Sequence, residues 1–312
     1  MTKPLVSIVI PVFNKEEWIV QTLMSVYTQT YANWECLIVD DGSTDGSLLA
    51  ISEFTKRHPG NWKIISKVNS GQSPARNFGI NSAVGEFIAF LDADDLWLPN
   101  KLELQVKWLL NNPDVGLVLT PYIIFREGQK RNFRLVRSTD SRKMIDNWLS
   151  MTGFGGLIES TGVVRKETVE RFGRFSISLS MTAGLDLALK IASEVRVEIL
   201  KDPLVFYRLS TGQFHKQEDV LMRDLEVMTI KFAKNDNDLD RLHRLHASYL
   251  YWSNCRMRGA RYFALASLKN VLLVRRQHIP MLYCLVTRNV IALVCGFLQR
   301  KLIREFFNRI SL

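Results

Sequence analysis

The sequence predicts an α/β fold: a mixed, mostly parallel β-sheet with helices on both faces, continued by a basic helical extension at the C-terminal end. Three observations predict it. Strand and helix patterns alternate through the first 120 residues, and such alternation builds parallel sheets through crossover connections. The strand-like segments are continuous apolar runs, the mark of strands covered on both faces. Beyond His215 no strand pattern recurs, and the chain reads as helix to its end.

VSIVIPV (Val6–Val12) is the first strand, and the helix after it carries Trp18, Leu23 and Val26 on one stripe. ECLIVD (Glu35–Asp40) is the second strand. DGSTDGS is a turn whose Thr44 or Asp45 caps a helix running to about Arg57. WKIIS is a third strand. SPARNFGINSA is a helix with Ser73 as cap and Pro74 at its first position. EFIAFLD is the fourth strand, PNKLELQVKWLLNN a further helix, and VGLVLT (Val115–Thr120) the fifth strand. From Pro121 to Arg137 the pattern is a hairpin around REGQKR. GFGGLIESTGVVRKETVERFG reads as a glycine-rich segment, a strand and a short helix. AGLDLALKIASE is helical, and VEIL and LVFYRLS are short strands. The expected division is a domain of residues 1–215, with halves 1–120 and 121–215, followed by a helical region of residues 216–312.

The composition, 47% apolar and 23% charged, suits a globular chain with a sizeable core. Cys36, Cys255, Cys284 and Cys295 show no CxxC spacing and read as buried thiols in a reducing compartment. The opening MTKPLVSIVIPVFN fits a buried strand better than a secretory signal. No stretch reaches the roughly 18 uninterrupted apolar residues of a membrane span. A cytoplasmic protein is expected.

The stretch FLDADDLWLP ends an apolar strand in Asp92, Asp94 and Asp95. Like charges this close repel one another and are costly to desolvate. In open α/β sheets ligands bind beyond the carboxyl ends of the strands. Asn14 and Glu16 follow the first strand, Asp40 and Asp41 end the second, and the aspartates end the fourth. A cluster of carboxylate oxygens suits Mg²⁺ or Mn²⁺, ions that join a few carboxylates to the oxygens of a phosphate. No His/Cys grouping has zinc spacing.

VSIVIPVFNKEEWIVQTLMSVYTQTYANWECLIVDDGSTDGS, followed by GQSPARNFGINSAVGEFIAFLDADD, resembles the nucleotide-sugar-binding half of family 2 glycosyltransferases, which have the GT-A fold. The resemblance is close over about residues 5–120 and looser to about 215. It implies an inverting transferase that takes a sugar from a nucleotide-sugar donor, a UDP-sugar, with Mn²⁺ or Mg²⁺ as cofactor. Pro11 and Asp41 would meet the nucleotide base, Asn14 and Glu16 would shape the loop beside it, and Arg76 would lie by the base or diphosphate. Asp92 and Asp94 match the family's DxD pair: Asp94 for the metal, Asp92 for ribose or metal, with Asp95 supporting the turn. The family's general base opens a helix in the acceptor half as the Asp of an ED pair. The matching residue is Asp186, preceded here by Leu185 rather than Glu; Glu159 is a second carboxylate in that half. In FYRLSTGQFHKQ, Arg208 or His215 would reach the diphosphate, and His215 is a candidate third metal ligand. The departure at Leu185 gives a foothold to a rival expectation, a non-catalytic nucleotide-sugar-binding or scaffold protein.

Residues 241–312 hold 13 Lys and Arg and one acid, Glu305, for a net charge of +12 within a chain of +10. Ile279–Gln299 approaches span length but carries Arg288 and Asn289 at its centre, and a mid-bilayer Arg costs at least about 2.5 kcal/mol. Residues 260–312 therefore suit an interfacial helix on anionic headgroups, or a subdomain packed on the catalytic domain. No nucleic-acid module accompanies the charge. The resemblance with this tail implies a saccharide or lipid-linked glycan acceptor, and polysaccharide or lipopolysaccharide assembly at the inner face of the cell membrane.

Overall fold

The computed structural model describes residues 3–125, 134–136, 159–208 and 218–232. The chain divides into two units, Met1–Leu242 and His243–Leu312. The second unit lies outside the described residues, as do REGQKR, the glycines before Glu159, and His215.

Strand β1 (Val6–Val12) is buried at every position. Each such aliphatic side chain contributes about 1.5–3 kcal/mol relative to an exposed one, which holds β1 at the centre of the sheet. It pairs in parallel with β2 (Trp34–Asp40) on one side and β4 (Phe87–Phe90) on the other. β3 (Trp62–Ser66) adds to β2 as a half-exposed edge. Helices α1 (Ile19–Tyr27), α2 (Ser47–Arg57), α3 (Gln72–Ser82) and α4 (Lys101–Asn111) make the crossovers. Leu102, Val106 and Leu109 of α4, spaced for one helix face, are all buried.

The cap of α3 differs from the expected Ser73. The helix begins at Gln72, and Gly71 before it has φ 98°. That left-handed backbone favours glycine, so the chain turns there and Pro74 falls inside the first turn. At α2 the cap position is Gly46, and Asp45 Oδ1 accepts a hydrogen bond from Ser47 N at 3.0 Å.

β6 (Val115–Leu119) does not lie beside β4. Between them runs β9 (Val163–Arg165), antiparallel to both, and β10 (Arg196–Ile199) pairs in parallel with the outer side of β6. The described order is β10-β6-β9-β4-β1-β2-β3. The sequence shows β9 as a strand but not its insertion, because a three-residue strand carries no register signal. β5 (Leu96–Trp97), β7 (Tyr122–Phe125), β8 (Arg134–Val136) and β11 (Val205–Arg208) form a second sheet in the order β5-β11-β7-β8. The antiparallel pairing of β7 with β8 matches the two arms of the expected hairpin. Helices α5 (Lys166–Phe172), α6 (Ala183–Ala192) and α7 (Glu218–Phe232) complete the described residues. No helix among them is long and apolar enough to cross a membrane.

Lys101 is fully buried at the start of α4. Its Nζ has no hydrogen-bond partner and lies 4.0 Å from the centre of the Trp97 ring. Burial pushes its pKa well below the ordinary lysine value. Below the unfolded lysine value, about 10.4, the unfolded chain therefore holds this proton more tightly than the folded chain, and stability climbs with pH toward that value. Lys101→Met is expected to stabilise the protein by about 1–3 kcal/mol near neutral pH. In urea titrations the gain should shrink between pH 7 and pH 9.5; a gain that does not change with pH would contradict a neutral buried amine.

Candidate active site

The carboxyl ends of β4, β1 and β2 lie side by side. Val9 pairs with Phe90, and Val12 pairs with Asp40, so the polar loops after these strands meet at one edge. Pro11 falls just past the last rung of the β1–β4 ladder, where no neighbouring strand needs its missing N–H.

The three aspartates have separate tasks. Asp95 is fully buried and accepts hydrogen bonds from Ser160 Oγ at 2.6 Å and from the Arg208 backbone N–H at 3.0 Å. Burial, with the charges of Asp94 and Asp92 beside it, raises its pKa well above the carboxylate range. It secures the turn, as expected. Asp92 and Asp94 keep side-chain exposures of 20% and 16%. Asp92 meets the Arg76 guanidinium at 2.6 Å, and Asp94 meets the Lys15 ammonium at 2.5 Å. Each of these two aspartates thus has its own cation, which offsets the repulsion between them. Arg208 Nε donates to the Asp94 carbonyl at 2.9 Å, and its Nη2 to Gln21 at 2.7 Å. Arg208 therefore grips the aspartate loop.

The loops after β1 and β2 are laced together. Asn14 has φ 51°, a left-handed position that Asn tolerates better than most residues. Its N–H donates to Ser43 Oγ at 3.0 Å, and its Oδ1 accepts from Thr44 N at 2.8 Å. Glu16 accepts from Gly46 N at 2.6 Å. Asp40 is buried and accepts from Ser43 N at 3.3 Å. Asp41 is also buried. Its oxygens accept from Gly71 N at 2.7 Å, Ser70 N at 3.1 Å and Lys67 Nζ at 2.5 Å, so it fastens the loop before α3.

Arg76 ties this edge to the second half of the chain. It is 2% exposed and reaches Glu159 at 3.4 Å while holding Asp92. Its guanidinium carbon stands 5.3 Å from the centre of the Phe175 ring. Glu159 opens a 3₁₀ turn, Glu159–Thr161, and the Gly184 backbone in the first turn of α6 draws its pKa down. A Cβ at Gly184 would fall 2.4 Å from the Glu159 carboxyl carbon, so only glycine leaves that carboxylate its place. Burial raises the pKa of Glu159, and the Arg76 charge opposes the rise. The next residue, Ser160, accepts from Asp92 N at 3.0 Å and donates to Asp95. A small cavity of about 40 Å³ adjoins, lined by Phe90, Leu119, Phe175, Gly184, Leu187 and Glu159 among others. That is room for a water or two.

Asp186 stands in the first turn of α6, as the sequence implied, but it faces elsewhere. Gly184, Leu187, Ala188 and Ile191 line the cavity, and Asp186 lies roughly 200° around the helix from Gly184 at 100° per residue. It is fully buried, with Lys190 at 2.7 Å and Lys231 of α7 in direct contact. Asp224 of α7 accepts from the Ser180, Met181 and Thr182 N–H groups and fixes the approach to α6. Asp186, implied as the general base, thus lies among two lysines on a face of α6 other than the one that lines the cavity. An Asp on an amphipathic helix has two possible faces, and the partner lysine of α7 was not visible in the local pattern. Sequence reading also missed Lys15, although it stands between Asn14 and Glu16, and Ser160, although it follows Glu159.

Among the described residues no three His, Cys, Asp or Glu side chains converge as a metal cage. A divalent ion that shares its shell with substrate phosphates needs only one or two carboxylates. Asp92 and Asp94 provide that set: hard oxygen donors, partly exposed, two positions apart, and already drawing a positive group each. The residues present fit Mg²⁺ or Mn²⁺.

Known proteins bear on this arrangement in three ways. Over a stretch of 109 residues the chain is 43% identical to the Escherichia coli protein WfgD, named a UDP-Glc:α-D-GlcNAc-diphosphoundecaprenol β-1,3-glucosyltransferase; that stretch is 35% of this chain and 42% of WfgD. Over 109 residues it is 45% identical to the uncharacterized glycosyltransferase RC0461 of Rickettsia conorii, covering 34% of this chain and 17% of that protein. The matched stretch thus takes in less than half the length of either relative. Among solved structures, the Pyrobaculum calidifontis mannosyltransferase PcManGT, in complex with GDP-Man and Mn²⁺, superposes with a TM-score of 0.60 at 20% identity, over 93% of this chain and 87% of that one. Staphylococcus aureus TarS 1–349 in complex with UDP-GlcNAc gives 0.59 at 18%, over 90% and 79%. These likenesses show the GT-A fold. The sequence model of glycosyl transferase family 2 matches residues 7–169, more than half of the chain, and the protein belongs to that family.

Proposed function

We propose that the protein is a metal-dependent, inverting glycosyltransferase. It moves a hexosyl or N-acetylhexosaminyl group from a nucleotide-sugar donor, a UDP-sugar, to a saccharide or lipid-linked saccharide in cell-surface polysaccharide or lipopolysaccharide synthesis. The observation that carries this reading is the pair Asp92 and Asp94, partly exposed at the end of β4 beside the loops of β1 and β2, each already matched by a cation. The UDP-Glc and diphosphoundecaprenol in the name of WfgD, and the UDP-GlcNAc bound to TarS, support the donor and acceptor classes.

Asp94 and Asp92 would hold Mn²⁺ or Mg²⁺, which when bound neutralises charge on the donor diphosphate. His215, in a segment outside the described residues, stays a candidate ligand. Pro11, Asn14, Glu16, Asp40 and Asp41 form the nucleotide side. Asp41 acts there through the loop of Ser70 and Gly71, since the chain's own donors occupy its oxygens. Arg76 holds Asp92 in place. The acceptor hydroxyl oxygen forms a bond to the anomeric carbon on the face opposite the diphosphate. The bond from that carbon to the phosphate oxygen breaks, and its electron pair leaves with the nucleoside diphosphate. The hydroxyl proton passes to a carboxylate of the acceptor half.

Thermal stabilisation and nucleotide release, measured with UDP-glucose, UDP-GlcNAc and GDP-mannose with and without Mn²⁺ or Mg²⁺, test this reading. A metal-dependent rise in Tm with slow release of UDP supports it. Tight binding with no release, even with saccharide acceptors present, would instead favour a scaffold protein, and no binding of any donor would reject both. The +12 of residues 241–312 is proposed to meet anionic lipid at the inner membrane face. The full chain should sediment with phosphatidylglycerol vesicles and be released by salt; a chain indifferent to vesicle charge would remove that surface.

A further inference from the structure

We propose that Glu159, rather than Asp186, is the catalytic carboxylate that takes the proton of the attacking hydroxyl. This rests on the glycosyltransferase reading above. Four observations place Glu159 there. Its neighbour Ser160 is bonded to both Asp92 and Asp95, so the backbone at 159 is fixed to the aspartate loop. Arg76 stands between the Asp92 and Glu159 carboxylates and touches both, so one cation offsets the repulsion between them. The Glu159 side chain is 14% exposed and is the charged group on the wall of the adjoining, otherwise apolar cavity. Finally, position 184 in the first turn of α6 is glycine, and the volume its side chain would fill holds the Glu159 carboxyl group.

Asp186 lacks these properties. It is fully buried, and Lys190 and Lys231 hold its carboxylate on another face of α6. A base so paired would have to break two charge-assisted contacts before accepting a proton.

In the step itself the hydroxyl O–H bond breaks, the proton goes to a Glu159 oxygen, and the freed oxygen pair forms the new bond to the anomeric carbon. The nucleoside diphosphate carries away the old bonding pair, so neither oxidant nor co-reactant is required. The proton later returns to water.

The experiment uses the full chain, the donor selected from UDP-glucose, UDP-GlcNAc and GDP-mannose, and the matching nucleoside diphosphate with Mn²⁺ as binding probe. Glu159→Gln and Glu159→Ala should bind the probe within about threefold of wild type, while turnover falls about 10²–10⁴-fold, the usual contribution of a general base. Azide has no proton to lose. It should raise donor consumption by Glu159→Ala and yield the inverted glycosyl azide, with no such gain for wild type. Gly184→Ala, which crowds the Glu159 carboxylate, should lower turnover more than probe affinity. Gly184→Asp in the Glu159→Ala background should restore part of the lost rate. The proposal is overturned if Glu159→Gln turns over within threefold of wild type. It is equally overturned if the Glu159 variants lose probe binding as much as turnover, which would make Glu159 only a support for Arg76. Azide rescue of an Asp186→Asn variant with wild-type Tm would also overturn it. If wild type itself neither binds the probe nor consumes a donor, the transferase reading fails, and this inference goes with it.

Discussion

Asp94→Ala is expected to lower metal-dependent turnover by about 10²–10³-fold or more, the size of effect seen when one preorganised charge-stabilising group is removed, while leaving the fold intact. Asp94 loses only a contact with Lys15 at the site edge, where both side chains are partly exposed, and such pairs contribute on the order of 1 kcal/mol. Its removal also relieves Asp95, whose carboxyl group it pushes toward protonation. The two changes oppose each other, so Tm should move little. Isothermal titration with UDP and Mn²⁺ should show the affinity lost. A variant that keeps metal-dependent affinity would remove Asp94 from the metal role; one that simply unfolds would make the aspartate structural.

Arg76→Met has the opposite profile, a large loss of stability together with activity. The guanidinium is buried, and it is the shared cation of Asp92 and Glu159. Breaking a buried charge pair costs about 3–5 kcal/mol, and the partial exposure of the two acids places this case at the low end. The cost should depend on pH. Without Arg76 the folded-state pKa of Glu159, already raised by burial, rises further above its unfolded value. The folded variant then binds more protons than the unfolded chain, so its stability falls as pH rises between those two values. The deficit against wild type should therefore be larger at pH 7.5 than at pH 5. Urea titrations at both pH values measure it, and an equal deficit would mean that lost packing on Phe175, not charge, is what Arg76 supplies.

The donor half was legible in the sequence because its signals are local. A continuous run such as VSIVIPV specifies a strand covered on both sides, and acids that follow such runs fall at the ligand edge of a parallel sheet. The acceptor half was less legible because its signals are relational. Nothing in GGLIESTG shows that Ser160 will meet Asp92, and nothing in AGLDLALKI shows that Asp186 will meet Lys231. Gly184 illustrates the difference. In the sequence it is a weak residue in a helix, whereas in the fold it is the space that admits Glu159. The hydrogen-bonding cap of α3 was misplaced for a related reason, since the left-handed turn at Gly71 is fixed by Asp41 from another loop.

The position of β9, lodged between β4 and β6, bears on how such enzymes can be recombined. A chimaera joined near residue 120 would carry β4 and β6 from one parent and β9 from the other, leaving a foreign rib in the middle of the sheet. Donor and acceptor preferences therefore cannot be traded as cassettes at that seam. A graft that retains the native rib and replaces only the surface segments around it is the partition this architecture permits.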